Sequence, residues 1–110
     1  MKLPGGAQAF IDPEKLRGYC LSRIHPRGRH KARVFAAALG LEAEDFAELR
    51  DALAGAASEG EAQLLRSDEF GVRYAVEFEL VRGVRRAVVR SYWIVRRGET
   101  SPRFVSCHVV

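Results

Sequence analysis

The sequence predicts an α+β domain: N-terminal helices, about three, packed on one face of a C-terminal antiparallel sheet of three to four strands. Three observations predict it. Apolar residues recur at helical spacing in the first half, as in Phe46, Leu49, Leu53 and Ala56. After Gly60 the apolar period drops to two. Short glycine-bearing turns then separate the alternating runs, which is how hairpins are joined.

Each element has its own local reason. Residues 9–24 lead into a short helix that starts at Asp12-Pro13: Asp accepts from the first free N–H groups and Pro suits the first helical position. Leu16, Tyr19 and Cys20 share a face, and Gly18 keeps this helix short. His25-Pro26-Arg27-Gly28 breaks the chain, because Pro26 keeps His25 out of helical geometry and Gly28 permits a sharp turn. A second helix begins near Arg29–Lys31, with Val34, Phe35, Ala38 and Leu39 as its apolar stripe and Gly40 as its stop. A third runs from about Ala43 to Ala57, with Glu44, Asp45, Glu48 and Asp51 facing water. Ala62–Ser67 reads as a strand, Glu69-Phe70-Gly71 as a turn, and Val72–Val81 as a cleanly alternating strand. Gly83 turns the chain into Arg86–Arg96. The segment from Arg97 to Pro102 turns it again into Arg103–Val110, where Val105, Cys107 and Val109 alternate with Phe104, Ser106 and His108.

Size and composition narrow the function. The 110 residues suffice for one domain with one core, spanning 1–110. With 47% hydrophobic and 29% charged residues, the composition argues against disorder. No window is long enough to span a bilayer and MKLPGGAQAF has no apolar signal core, so the expectation is a cytoplasmic protein without a membrane partner. Cys20 and Cys107 are the only cysteines, each among apolar residues; two buried thiols are expected rather than a disulfide. Cysteines and histidines form no familiar zinc spacing, so neither metal nor cofactor is expected.

The net charge is +4, unevenly spread. Residues 42–69 hold nine acids and two arginines, whereas residues 82–103 hold seven arginines and one acid, Glu99. A second basic cluster, RIHPRGRHK, precedes the second helix. Two basic segments around an acidic middle point to an anionic partner, nucleic acid first, although an arginine-rich coding bias produces the same pattern. Strand parity places Glu77, Arg90, Ser106 and His108 on the sheet face away from the helices, where neighbouring strands bring them together. A carboxylate, an arginine, a hydroxyl and an imidazole suit metal-free RNA cleavage: a base takes the 2′-OH proton, an acid protonates the leaving oxygen, and a cation stabilises charge on phosphorus. Equally, a Glu–Arg pair across two strands occurs for its own sake. The basic turn ahead of the second helix is a candidate phosphate site, with His25 capping a backbone group as the plainer alternative.

The segments IDPEKLRGYCLS, HPRGRHKARVFAAALGL, YAVEFEL, VRSYWIVRRGE and PRFVSCHVV, in this order, resemble the domain-of-unknown-function family 6883 over nearly the whole chain. The pattern also resembles the barnase/EndoU/colicin/RelE group of ribonuclease toxins, which place catalytic residues on the sheet face away from their N-terminal helices. The resemblance implies a small bacterial toxin-like protein, sometimes paired with a small acidic antitoxin-like protein. The family's histidine-proline turn and basic residues match His25, Arg29 and Lys31; with the strand-face reading, the expected catalytic residues are His25, Glu77, Arg90, Ser106 and His108, and the expected substrate-binding residues Arg29, Lys31 and Arg103. The family pattern often has Thr at the position of Ser106 and Tyr at that of His108, which moves some weight to His25. The expected function is therefore a metal-independent endoribonuclease of a toxin–antitoxin pair acting on RNA. The alternative is a non-catalytic module that binds nucleic acid or an acidic partner.

Overall fold

The computed structural model describes all 110 residues. Helix α1 starts at Pro13–Lys15, capped by the Asp12 side chain, which accepts from Glu14 N at 3.0 Å. It continues as a wide π turn over Leu16–Cys20. Helix α2 spans Arg29–Leu39, and helix α3 spans Phe46–Glu59 after a single 3-10 turn at Ala43–Asp45. A reciprocal pair of hydrogen bonds between Glu42 and Asp45 caps that turn. Strands β1 (Ala62–Asp68), β2 (Gly71–Arg82), β3 (Arg85–Arg96) and β4 (Arg103–Val109) follow in simple up-and-down order, every neighbour antiparallel. The α+β expectation holds, with four strands. No helix is long and apolar enough to cross a membrane.

The core lies between the helices and one sheet face. Leu16, Phe35, Leu39, Leu49 and Leu53 meet Val76, Val89, Trp93, Phe104 and Cys107 there. The α2 stripe runs through Ala32, Phe35 and Leu39, whereas Val34 is exposed. Phe35 and Leu39 are buried and Ala38 packs against the core as expected; Val34 alone leaves the stripe, because residues 32, 35 and 39 stack on one side of a helix and residue 34 points about 100° away. One polar side chain is fully enclosed: the Ser91 hydroxyl donates to Val76 O at 2.7 Å and accepts from Trp93 Nε1 at 2.9 Å. Both partners of that hydroxyl are satisfied, which removes the cost of its burial.

Two β-bulges alter the strand parity. The register of β3 with β4 slips between Tyr92 and Trp93: Ser106 faces Tyr92, but Phe104 faces Trp93. Val105 is the extra residue. Phe104 therefore turns into the core, 2% exposed and 5.4 Å from the Trp93 ring, while Val105 joins the helix-free face. This corrects the expected assignment of Val105 to the helix-covered face and Phe104 to the other: a single unpaired residue reverses the alternation. A second slip lies between Leu64 and Arg66 in β1.

Arginines of the strand hairpins hold the helices. Gly40 takes the left-handed conformation (φ 67°) that closes α2, and its N–H reaches Ala36 O at 2.9 Å. The carbonyls left at this end accept from Arg82, at 2.7 Å for Gly40 O and 3.4 Å for Leu39 O. Arg85 approaches Ala36 O at 3.4 Å. Arg82 also pairs with Asp45 and Glu48, tying α2, the 3-10 turn and α3 to one strand end. Elsewhere Arg97 donates to Asp68 O and Glu69 O across the β1–β2 turn.

The bulge makes a contrast that denaturant unfolding can read. Phe104→Ala is expected to cost about 3–5 kcal/mol, as loss of a core aromatic does. Val105→Ala is expected to cost about 1 kcal/mol or less. Unbroken alternation would give the reverse order.

Candidate functional site

Strand β4 is the last in the sheet, so one of its edges has no strand beside it. The N-terminal segment covers that edge. Phe10 N donates to Pro102 O and Phe104 N to Phe10 O, each at 2.9 Å, and Lys15 Nζ donates to Phe104 O at 3.1 Å. Further along, Cys20 comes within 3.8 Å of Ser106 Oγ, and Lys31 Nζ donates to the same hydroxyl at 2.9 Å. The basic N-terminus of α2 is thereby joined to the sheet.

The register places Glu77, Arg90 and His108 side by side across β2, β3 and β4, with Ala75, Tyr92 and Ser106 in the next row but one. Arg90 Nη1 donates to Glu77 Oε2 at 2.7 Å. The His108 ring stacks on Tyr92 with centroids 5.6 Å apart, and the Arg90 guanidinium lies 5.5 Å from the centre of the same ring. Four of the expected residues, Glu77, Arg90, Ser106 and His108, therefore share one face, with Lys31 beside Ser106.

His25 connects to this group indirectly. Its ring meets the Tyr19 ring edge-on at 4.8 Å, and Lys31 Nζ stands 5.2 Å from the centre of that Tyr19 ring. The turn is built around His25: its Nδ1 accepts from Arg27 N and Gly28 N, each at 3.0 Å, and its own N–H donates to the Ser22 hydroxyl. In the neutral ring the proton then sits on Nε2, the one nitrogen left for chemistry. Gly28 is required by contact, since a Cβ there would lie 2.1 Å from Tyr19 O. That close approach sets Tyr19 against the start of α2.

Arg29 is exposed at the first position of α2 and has no carboxylate partner; exposed Arg27 and Arg33 and half-buried Lys31 have none either. Arg103 lies elsewhere, at the opposite end of β4 from His108. It is paired with Glu99 at 2.9 Å and set over the Phe10 ring. Sequence reasoning missed Tyr19 and Tyr92. Tyr92 could have been found by carrying the parity of Arg90 two residues on. Tyr19 had no such signal, since it shares a helical face with core residues.

Positive charge outweighs negative around His108. His108 is held below its ordinary value, first by partial burial, then by the nearby charges of Lys31 and Arg90, with Glu77 opposing. Its ring is accordingly neutral and able to accept a proton. Cys20 is drawn below the usual thiol range, chiefly by the Cys107 thiol hydrogen-bonded to it, whereas the same contact and burial push Cys107 up. Both cysteines are buried and unbridged. The Lys31 ammonium, the Arg90 guanidinium and the Ser106 hydroxyl are donors of the kind that bind oxyanions, and a neutral imidazole shares their face.

The family model described as "Domain of unknown function (DUF6883)" matches residues 2–110. No curated protein and no solved structure matches the chain.

The charge field around His108 has a measurable consequence. Followed by NMR, the imidazole should titrate below its ordinary value of 6.5, and Lys31→Met should move the midpoint upward by removing one positive neighbour. The unfolded chain takes up this proton more readily than the folded one. The His108 contribution to stability is therefore present above pH 6.5 and is lost as pH falls through that value toward the folded midpoint. A midpoint above the ordinary value would contradict the assignment.

Proposed function

The chain belongs to the DUF6883 family, and we propose that it is a metal-independent endoribonuclease of the toxin type. The observation that carries this reading is the 2.9 Å contact of Lys31 with Ser106. It couples a helix start rich in unpaired cations to the sheet face that bears Arg90, Tyr92 and His108. The resemblance of the sequence pattern to ribonuclease toxins, in which N-terminal helices also precede an antiparallel sheet, speaks for the same reading at the level of architecture alone.

In this reading Lys31 and Arg90 bind the scissile phosphate and stabilise the charge that gathers on it. Ser106, whose oxygen already accepts from Lys31, turns its own proton toward a phosphate oxygen. His108, neutral and stacked on Tyr92, takes the 2′-OH proton and returns it to the departing 5′-oxygen. Glu77 orients Arg90. His25 contributes through Nε2 or by holding the turn, and one substitution separates the two roles. His25→Asn keeps an acceptor near the Nδ1 position and removes Nε2. Arg29 tracks the backbone, while Arg103, paired with Glu99, takes a distal contact at most.

A second reading is favoured by the unpaired cations Arg27, Arg29, Lys31 and Arg33: a non-catalytic module that binds nucleic acid or an acidic protein. Binding that weakens steeply with salt while RNA stays intact would select it.

The test is cleavage of a mixed-sequence RNA by the purified protein in the presence of EDTA. Cleavage is expected, with His108→Ala slower by about 10²–10⁴-fold and His25→Asn distinguishing proton transfer from positioning. Arg29→Ala should reduce the salt slope of RNA binding by about 0.7 with little change in the cleavage step. Intact RNA at stoichiometric protein would sink the enzymatic reading.

A further inference from the structure

The helix-free sheet face carries a second feature beyond the Lys31–Ser106 cluster. Each bulge adds one unpaired aliphatic residue to it, Leu65 from β1 and Val105 from β4. They line, with Tyr92, a groove of about 300 Å³. At Arg73 and Val105 the groove runs into a second hollow of about 470 Å³, where Phe70 and Ile94 continue the apolar floor. Leu65 is 40% exposed and Phe70 62%. A bulge re-aims a side chain at the cost of ladder pairing. Here two bulges aim aliphatic groups at one groove on the face that no helix covers.

The rim is cationic. Arg66, Arg73, Arg96 and Lys15 line the two hollows, and no carboxylate does. Asp68 stands behind, engaged by Arg73 at 3.0 Å and Arg66 at 3.4 Å. Arg96 is exposed and has no carboxylate partner.

We infer that this groove docks an acidic amphipathic helix of a partner protein, its aliphatic side chains on Leu65, Tyr92 and Val105 and its carboxylates on Arg66 and Arg96. A helix suits a sheet face better than added strand does: the opposite face is already covered that way, and the bulged β1 edge is kinked away from regular pairing. A protein suits the floor better than nucleic acid does, because bases need open aromatic faces to stack on: Tyr74 and Trp93 are buried here and the Tyr92 ring is already stacked by His108, which leaves Phe70 as the one open ring beside Leu65 and Val105. The occupant would cover Tyr92, on which His108 stacks. The inference concerns binding alone and does not depend on the ribonuclease reading.

Fluorescence anisotropy with three probes tests it on the full chain: a labelled helical peptide of about 18 residues with a leucine stripe and glutamate elsewhere, the same stripe with lysine for glutamate, and a single-stranded RNA. The glutamate peptide is expected to bind, and the lysine peptide to bind at least about tenfold more weakly. Arg66→Glu combined with Arg96→Glu should weaken the glutamate peptide about tenfold or more, and Leu65→Asp should do likewise. The first variant alters only exposed side chains, so the test survives if Leu65→Asp fails to fold. Equal binding of both peptides, no binding, or affinity unchanged in the folded variants would overturn the inference. Loss of RNA binding alone in the arginine variant would overturn it in favour of a nucleic-acid groove.

Discussion

The bare edge of β4 is the constraint on which the rest of the structure depends. A terminal strand exposes unpaired N–H and C=O groups, and a protein must cover or blunt them. Here the N-terminal segment does so, through Phe10, Lys15 and the π turn that ends at Cys20. Covering the edge fixes where α2 must start, and the start of α2 brings Lys31 to Ser106. The candidate site is thus a by-product of sealing a sheet. The opposite edge, β1, is treated differently: a bulge kinks it, and the displaced Leu65 is handed to the helix-free face.

Charge alone gave a poor guide to which cations are available for a ligand. Much of the C-terminal arginine cluster turns inward to other parts of the chain. Arg82 and Arg85 serve the carbonyls at the end of α2, Arg97 serves a hairpin turn, and Arg103 is tied to Glu99. Carbonyls at a helix C-terminus carry partial negative charge, so a guanidinium there satisfies both hydrogen bonding and electrostatics. Of the cations left without carboxylates, Arg27, Arg29, Lys31 and Arg33 gather at the positive end of α2. Cations at that end oppose the helix dipole, and an anionic ligand would relieve the conflict.

Much of the fold was legible because the relevant signals are local. Asp12-Pro13 announces a helix start, Gly40 a helix stop, and the alternation from Val72 to Val81 a strand. The row of Glu77, Arg90 and His108 followed from parity, since each strand stays in step there. The bulges were hidden because the neighbouring pairs, Leu64-Leu65 and Phe104-Val105, are apolar on both sides, so alternation carries no mark of an extra residue. Tyr19 was hidden for another reason. Its role comes from the contact between Gly28 and its own backbone, a tertiary approach with no trace in spacing. Lys31 could be placed at a helix start, but its partner Ser106 is 75 residues away.

Helix α2 is held at both ends, by Gly28 against Tyr19 at its start and by Arg82 and Arg85 at its finish. Its cations therefore project from a rod rather than a loop. A flexible basic loop must lose backbone freedom whenever it closes on an anion, and that loss weakens the complex. For Arg29, Lys31 and Arg33 the backbone is already ordered when the protein has folded, so only side-chain rotamers remain to be restricted. Rigidity so acquired makes the cluster geometrically selective: an anion is met by a charge array of set spacing, to which it must conform.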